Sequence, residues 1–311
     1  MDKFKKKNYF QKRKLSIEDL GKYYAEERLH DYEDKEQVRH VKIRDFLHPF
    51  LHLAVKIDRV LTREKIRVIA DEREKTKRPR IYACTHIGGN DVHRVLEAIK
   101  EHSYPFIGDP KDEYKNIVGF YLKLNGVVYV ELDDKTDRKV SYAKSVELLT
   151  KGCNLVIFPE GAWNLSENLP VLGLFKGTAR MAQEAKADII PVALEQYDKT
   201  FDIKIGKNIK YEDIKDKDIE EINIELRDKM ASLKWDIWEN RKVSNREEIT
   251  DEFKNNFKQD IVDKCVFPYT IEEVEEDTYK DKNITTPEEA LEINNIENHD
   301  YQDKLNKINR G

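Results

Sequence analysis

Between residues 80 and 194 the chain switches period repeatedly: a short apolar run, a polar or glycine-containing turn, then apolar residues at helical spacing. The runs are Arg80-Ile81-Tyr82-Ala83-Cys84, Gly126-Val127-Val128-Tyr129-Val130, Asn154-Leu155-Val156-Ile157-Phe158 and Ile189-Ile190-Pro191-Val192-Ala193-Leu194. Val92, Val95, Leu96 and Ile99 follow the first run at helical spacing, and Tyr142, Val146 and Leu149 follow the second. A further helix is expected around Thr178 to Lys186. Such continuous apolar strands need cover on both faces. Strands alternating with helices therefore predict an α/β fold with a largely parallel central sheet flanked by helices, whose ligand site lies beyond the carboxyl ends of the strands.

The flanks read differently. Net charge is −5, but it divides into +8 over residues 1–80, −1 over 81–210 and −12 over 211–311. We accordingly expect a basic helical N-terminal region over 1–74, an α/β core over 75–210 and an acidic helical extension over 211–311. Lys5, Lys6, Lys7, Lys12, Arg13 and Lys14 are interleaved with Phe4, Tyr9 and Phe10, a pattern suited to anionic lipid. No basic patch recurs beside a nucleic-acid-binding module, so no nucleic-acid partner is expected. Ile43, Phe46, Leu47, Phe50, Leu51, Ala54, Ile57 and Leu61 form one helical stripe with Pro49 inside it. In the extension, Ile219, Ile222, Leu226, Met230, Leu233 and Ile237 form a second stripe, and Ile249, Phe253, Phe257 and Ile261 a third.

Two classes of protein are disfavoured. The longest uncharged runs are ten residues, whereas a spanning helix needs about 20 apolar residues. The first residues also lack the apolar stretch of a secretory signal. Cys84, Cys153 and Cys265 are too widely spaced for a disulfide scaffold or a cysteine zinc site, which fits a reducing cytoplasm.

The candidate chemistry sits at the ends of the predicted strands. His86 follows the first strand, and Asp91 lies five residues later across Ile87-Gly88-Gly89-Asn90. Gly88 and Gly89 permit a tight loop that brings the carboxylate to the imidazole and leaves backbone open to substrate. A carboxylate on one ring nitrogen fixes the tautomer and leaves the other nitrogen to take a proton from a hydroxyl. The competing reading is that Asp91 or Asn90 only caps the next helix. The same spacing recurs at His40 and Asp45, with neither a strand before it nor a glycine inside it. Phe158-Pro159-Glu160-Gly161 ends the third strand and falls in the same layer of loops, where Glu160 is a candidate acceptor for substrate hydroxyls.

Taken in order, these segments resemble the 1-acyl-glycerol-3-phosphate acyltransferase family of glycerolipid acyltransferases. Thr85-His86-Ile87-Gly88-Gly89-Asn90-Asp91 is similar to its H-x-x-x-x-D motif, Asn125 to Val130 to its strand motif, Phe158-Pro159-Glu160-Gly161-Ala162 to its F-P-E-G-T motif, and Ile190-Pro191-Val192 to its final V-P-V/I segment. Phe175-Lys176-Gly177-Thr178-Ala179-Arg180 is similar to the lead-in of that last segment. The resemblance implies transfer of a fatty acyl group from acyl-CoA or acyl carrier protein to a lysophospholipid hydroxyl. It casts His86 as general base, Asp91 as its orienting partner, and Glu160 with Gly161 as the acceptor-binding pair, with no metal or bound cofactor. It further implies a protein held peripherally at the inner, cytoplasmic face of an anionic membrane.

One departure bears on the acceptor. Leu132 stands where the strand motif usually ends in a phosphate-holding Arg, and a neutral side chain makes no bidentate phosphate contact. Lys135 and Arg138, with Lys176 and Arg180 from another loop, are the remaining candidates for that contact. Two alternatives stay open: an acceptor without phosphate, such as a glycolipid or sugar, and a non-catalytic lipid-binding relative.

Overall fold

The computed structural model describes residues 4–35, 37–108, 112–166, 169–241, 250–264 and 269–278. Its centre is a seven-stranded sheet: β1 (Lys65–Asp71), β2 (Arg80–Cys84), β3 (Ser103–Gly108), β4 (Val128–Val130), β5 (Asn154–Ile157), β6 (Asp188–Tyr197) and β7 (Thr200–Ile205), in the order β1-β7-β6-β2-β5-β3-β4. Every neighbouring pair is parallel except β6 with β7, which form a hairpin. The largely parallel α/β architecture is thus present.

Alternation along the central strands divides the core between two faces. Ile81, Ala83, Leu155, Ile157 and Ile189 face one way, against α6 (Lys135–Thr150), α7 (Gly177–Ala185) and α9 (Ile219–Glu239). Tyr82, Cys84, Val156, Ile190 and Val192 face the other, against α4 (Asp91–Ile99) and the inner residues of β7. Each fully buried aliphatic side chain in these layers contributes about 1.5–3 kcal/mol, so the middle of the sheet forms a stiff platform for the loops at its rim. The carboxyl ends of β2, β5 and β6 share that rim, as their parallel register requires.

Ahead of the sheet lie α1 (Tyr9–Arg13), α2 (Ile17–Glu33) and α3 (Val41–Leu61). Arg28 of α2 grips Asp137 of α6 through paired 2.7 Å hydrogen bonds. In α3, which carries Pro49 internally, only Val55 is buried, while Phe46, Phe50, Leu53, Ile57, Val60 and Leu61 stay exposed. Among the described residues no helix is long and apolar enough to cross a membrane. The helices α5 (Ile117–Asn125), α8 (Tyr211–Ile214), α10 (Asp251–Asp263) and α11 (Ile271–Glu276) complete the described α-helices.

Three strands were not expected from the sequence. β1 is an edge strand with charged residues and no fully buried position, β3 contains Pro105, and β7 is polar at alternate positions. Because β1 pairs with β7, the sheet begins at Lys65 rather than at residue 75. After residue 210, α9 packs its stripe inward: Ile222, Leu226 and Met230 belong to the main core. Cys84 and Cys153 are buried free thiols, while Cys265 and Ile249 lie outside the described residues, as does most of the acidic tail.

Candidate active site

Only six residues separate the end of β2 from α4, and the loop they form is fixed almost entirely by one side chain. Gly88 and Gly89 adopt φ of 81° and 63°, left-handed values that favour glycine, and so turn the chain back on itself. The turn lets Asp91, the first residue of α4, direct its carboxylate into the loop. Oδ2 accepts the backbone N–H of Ile87 at 3.0 Å and of Gly88 at 3.1 Å, and lies 2.7 Å from Nδ1 of His86. Oδ1 faces the N–H of Val92. Asp91 is thus both loop organiser and imidazole partner. Asn90 makes no side-chain cap and instead bonds Glu64 at 2.9 Å.

The imidazole is oriented but not sealed in. Its side chain keeps 19% of its accessible surface, whereas Asp91 keeps 1%. The ring of Phe158 packs at 4.5 Å and Trp163 meets it edge-on at 6.2 Å. Nε2 has no hydrogen-bond partner among the described residues. A carboxylate only accepts, so the proton in the short contact resides on Nδ1 and Nε2 presents its lone pair.

Glu160 reaches the site by a different route from the one its motif suggests. It is completely buried, and both carboxylate oxygens are taken by backbone: Oε1 accepts the N–H of His86 at 2.9 Å and Oε2 that of Leu172 at 2.8 Å. Burial pushes its carboxyl above the ordinary range, while these two N–H groups, with Lys234 and His86, pull it down. The side chain therefore ties the β5 loop to the β2 loop and offers nothing to a substrate hydroxyl. Asn164 N–H closes the same junction by donating to the His86 carbonyl at 3.0 Å. Gly161 adopts φ 74°, and a Cβ there would sit 2.2 Å from the Phe175 ring, so glycine is required on both counts.

The other expected substrate contacts lie apart from the dyad. Lys135 and Arg138 occupy the first turn of α6, beyond the β4 edge of the sheet, and Arg138 donates to the Leu132 carbonyl. Lys176, just before α7, is ion-paired with Glu220 at 2.5 Å, and Arg180 is exposed one turn further along. Among the described residues, Lys135, Arg138 and Arg180 make no bond to the His86–Asp91 loop. Conversely, sequence reasoning missed Arg94, a wholly buried guanidinium one turn after Asp91 that bonds Glu64 at 2.5 Å and Asp58 at 2.7 Å. A single charged residue inside an amphipathic helix carries no mark of its burial.

Comparison with known proteins places this geometry. Residues 65–195 match the family model described as acyltransferase. An uncharacterized acyltransferase of Schizosaccharomyces pombe is 28% identical over 100 residues, covering 32% of this chain and 36% of that protein. A 1-acyl-sn-glycerol-3-phosphate acyltransferase of Chlamydomonas reinhardtii is 23% identical over 117 residues, covering 38% of this chain and 34% of that protein. The chain thus aligns with about a third of the length of each of these relatives. The crystal structure of the lysophosphatidic acid acyltransferase PlsC from Thermotoga maritima superposes with a TM-score of 0.53 at 16% identity, over 71% of this chain and 91% of that one. The sequence match to the acyltransferase model is confined to residues 65–195, and the structural likeness shows a shared fold.

Proposed function

We propose that this protein is an O-acyltransferase that moves a fatty acyl group from a thioester, acyl-CoA or acyl carrier protein, to a hydroxyl of a lysophospholipid, converting lysophosphatidic acid to phosphatidic acid. The observation that carries the reading is the 2.7 Å contact between His86 Nδ1 and Asp91, with Nε2 left open at the rim. Nε2 removes the proton from the acceptor hydroxyl as its oxygen attacks the thioester carbonyl. The C–O bond forms, the tetrahedral adduct collapses, and the C–S bond breaks. The imidazolium returns the proton to the departing thiolate, so the histidine ends as it began. No covalent enzyme intermediate is required, because holding two substrates together supplies much of the rate. Asp91 stabilises the transient imidazolium, and Glu160 holds the loop that presents it.

The acceptor is brought from a lipid surface. The exposed apolar face of α3 supports this, together with Lys42, Lys56 and Arg63 around it, since such a helix lies with its apolar side at the headgroup boundary. On this reading the protein works peripherally at the cytoplasmic face of an anionic membrane. Neutral side chains at Leu132 favour, as the second reading, an acceptor without a phosphate. Incubating the purified protein with acyl-CoA and either lysophosphatidic acid or a phosphate-free lysolipid, with products read by mass spectrometry, separates the two. Diacylated phosphatidic acid that vanishes in His86→Ala supports the first reading. Acylation of the neutral acceptor alone replaces it with the second, and no acylation of either refutes both.

A further inference from the structure

Beyond Gly89 and Asn90 the rim opens into a cleft of about 560 Å³. Three separate segments wall it: the turn ending α3, with Arg63 and Glu64; the β6–β7 turn, with Lys199; and the end of α10, with Lys264. Gly89 and Asn90 of the His86 loop form its inner lip. A concavity of this size falls within the range of about 300–1,000 Å³ usual for small-molecule sites.

The charges around it are unevenly spent. Glu64 turns inward, with Oε1 on Asn90 and Oε2 on Arg94. The fully buried Arg94, which also bonds Asp58, fastens this wall to α4, the helix that begins with Asp91. Arg63, Lys199 and Lys264, by contrast, make no ion pair among the described residues. Lys199 donates one hydrogen bond, to the Thr62 carbonyl at 3.1 Å, which keeps its ammonium against the α3 turn. Glu64 is turned onto Asn90 and Arg94, so the cleft presents these three cations beside one carboxylate, Asp198, in a chain whose net charge is −5. Converging unpaired cations repel one another and are relieved by an anion, and a guanidinium fork with two ammonium groups matches the terminal oxygens of a phosphate.

We infer that this cleft binds the phosphomonoester of a substrate and so sets that substrate's head group beside the His86 loop. The inference takes from the acyl-transfer reading only the identity of the substrates. Two of them carry such a group: the 3′-phosphate of coenzyme A and the phosphate of a lysophosphatidic acceptor.

Isothermal titration of the full chain with coenzyme A, 3′-dephospho-coenzyme A and glycerol 3-phosphate tests it, comparing wild type with the triple variant Arg63→Gln/Lys199→Gln/Lys264→Gln. Wild type is expected to bind at least one phosphomonoester probe, more weakly as salt is added, and the triple variant to bind it about tenfold or more weaker. Loss for coenzyme A but not for the dephospho form assigns the site to the donor; loss for glycerol 3-phosphate assigns it to the acceptor. Equal affinities in wild type and variant, or no binding of either phosphomonoester by wild type, overturn the inference. A second readout guards against misfolding: with three repelling cations gone, the ligand-free variant is expected to melt no lower than wild type while losing the upward shift in Tm that the bound probe gives wild type. Protein that binds these probes yet transfers no acyl group refutes the acyl-transfer reading and leaves the cleft standing.

Discussion

Among the described residues two histidine–aspartate pairs lie within 3 Å, and only one is arranged to move a proton. His86 and Asp91 meet at 2.7 Å, and His102 and Asp45 at 2.5 Å. In the first pair the carboxylate is buried and clamped by backbone N–H groups, while the second imidazole nitrogen is open. In the second pair the carboxylate is 55% exposed, and the other nitrogen of His102 is held at 2.8 Å by the Asn125 carbonyl. Short separation therefore does not define a base. A fixed carboxylate on one side and a vacant lone pair on the other do.

The largest test of this contrast exchanges the two histidines' fates. His86→Ala is expected to lower acyl transfer by about 10³-fold or more, whereas His102→Ala leaves kcat near wild type and costs about 1 kcal/mol of stability, read by steady-state kinetics and denaturant melts. Next in size, Asp91→Asn preserves shape but offers Nδ1 a competing donor. We expect kcat to fall by about 10²-fold or more with KM little changed, as for an interaction made chiefly in the transition state.

Glu160→Gln probes the brace behind the active pair. An amide supplies one acceptor where the carboxylate supplies two, so one of the N–H groups of His86 and Leu172 loses its partner. Stability is expected to drop by about 1–3 kcal/mol, with a decline in kcat well short of that in His86→Ala.

The dyad was legible in the sequence because everything that builds it is local: an apolar strand, two glycines and an aspartate at a helix start. The second H-x-x-x-x-D match failed for the same reason in reverse. Asp45 belongs to α3 and pairs across space with His102, not with His40. β2, β5 and β6 were legible because burial on both faces leaves uninterrupted apolar runs. β1 was not, because an edge strand keeps Lys65, Arg67 and Asp71 in solvent or in ion pairs, as Arg67 does with Asp202. The F-P-E-G segment disclosed that Glu160 lies at the rim but not that its oxygens face the backbone, since a motif fixes position along the chain and leaves direction to packing.

The smallest expected effect concerns how α3 is seated. His48 and His52 lie on its inner side, and the imidazole of His48 stacks 5.1 Å from that of His102. Burial, then His102 and His52, hold His48 below its ordinary pKa; burial, then Lys56, does the same for His52. Folding thus favours the neutral rings, and the unfolded chain binds more protons as the pH falls below about 6.5, the ordinary imidazole value. Stability from this contact is complete above that pH and lost progressively beneath it. Amide exchange over residues 41–61 should accelerate between pH 7 and pH 5 by about tenfold or less, and His48→Leu should flatten the dependence while leaving the His86 loop protected.

The central claim concerns the state of one nitrogen, and heteronuclear NMR of 15N-labelled histidine reads it directly. For His86 at neutral pH the account predicts a protonated Nδ1 and a bare Nε2, with that single-tautomer signature lost in Asp91→Asn. A proton found on Nε2, with Nδ1 bare, would contradict it.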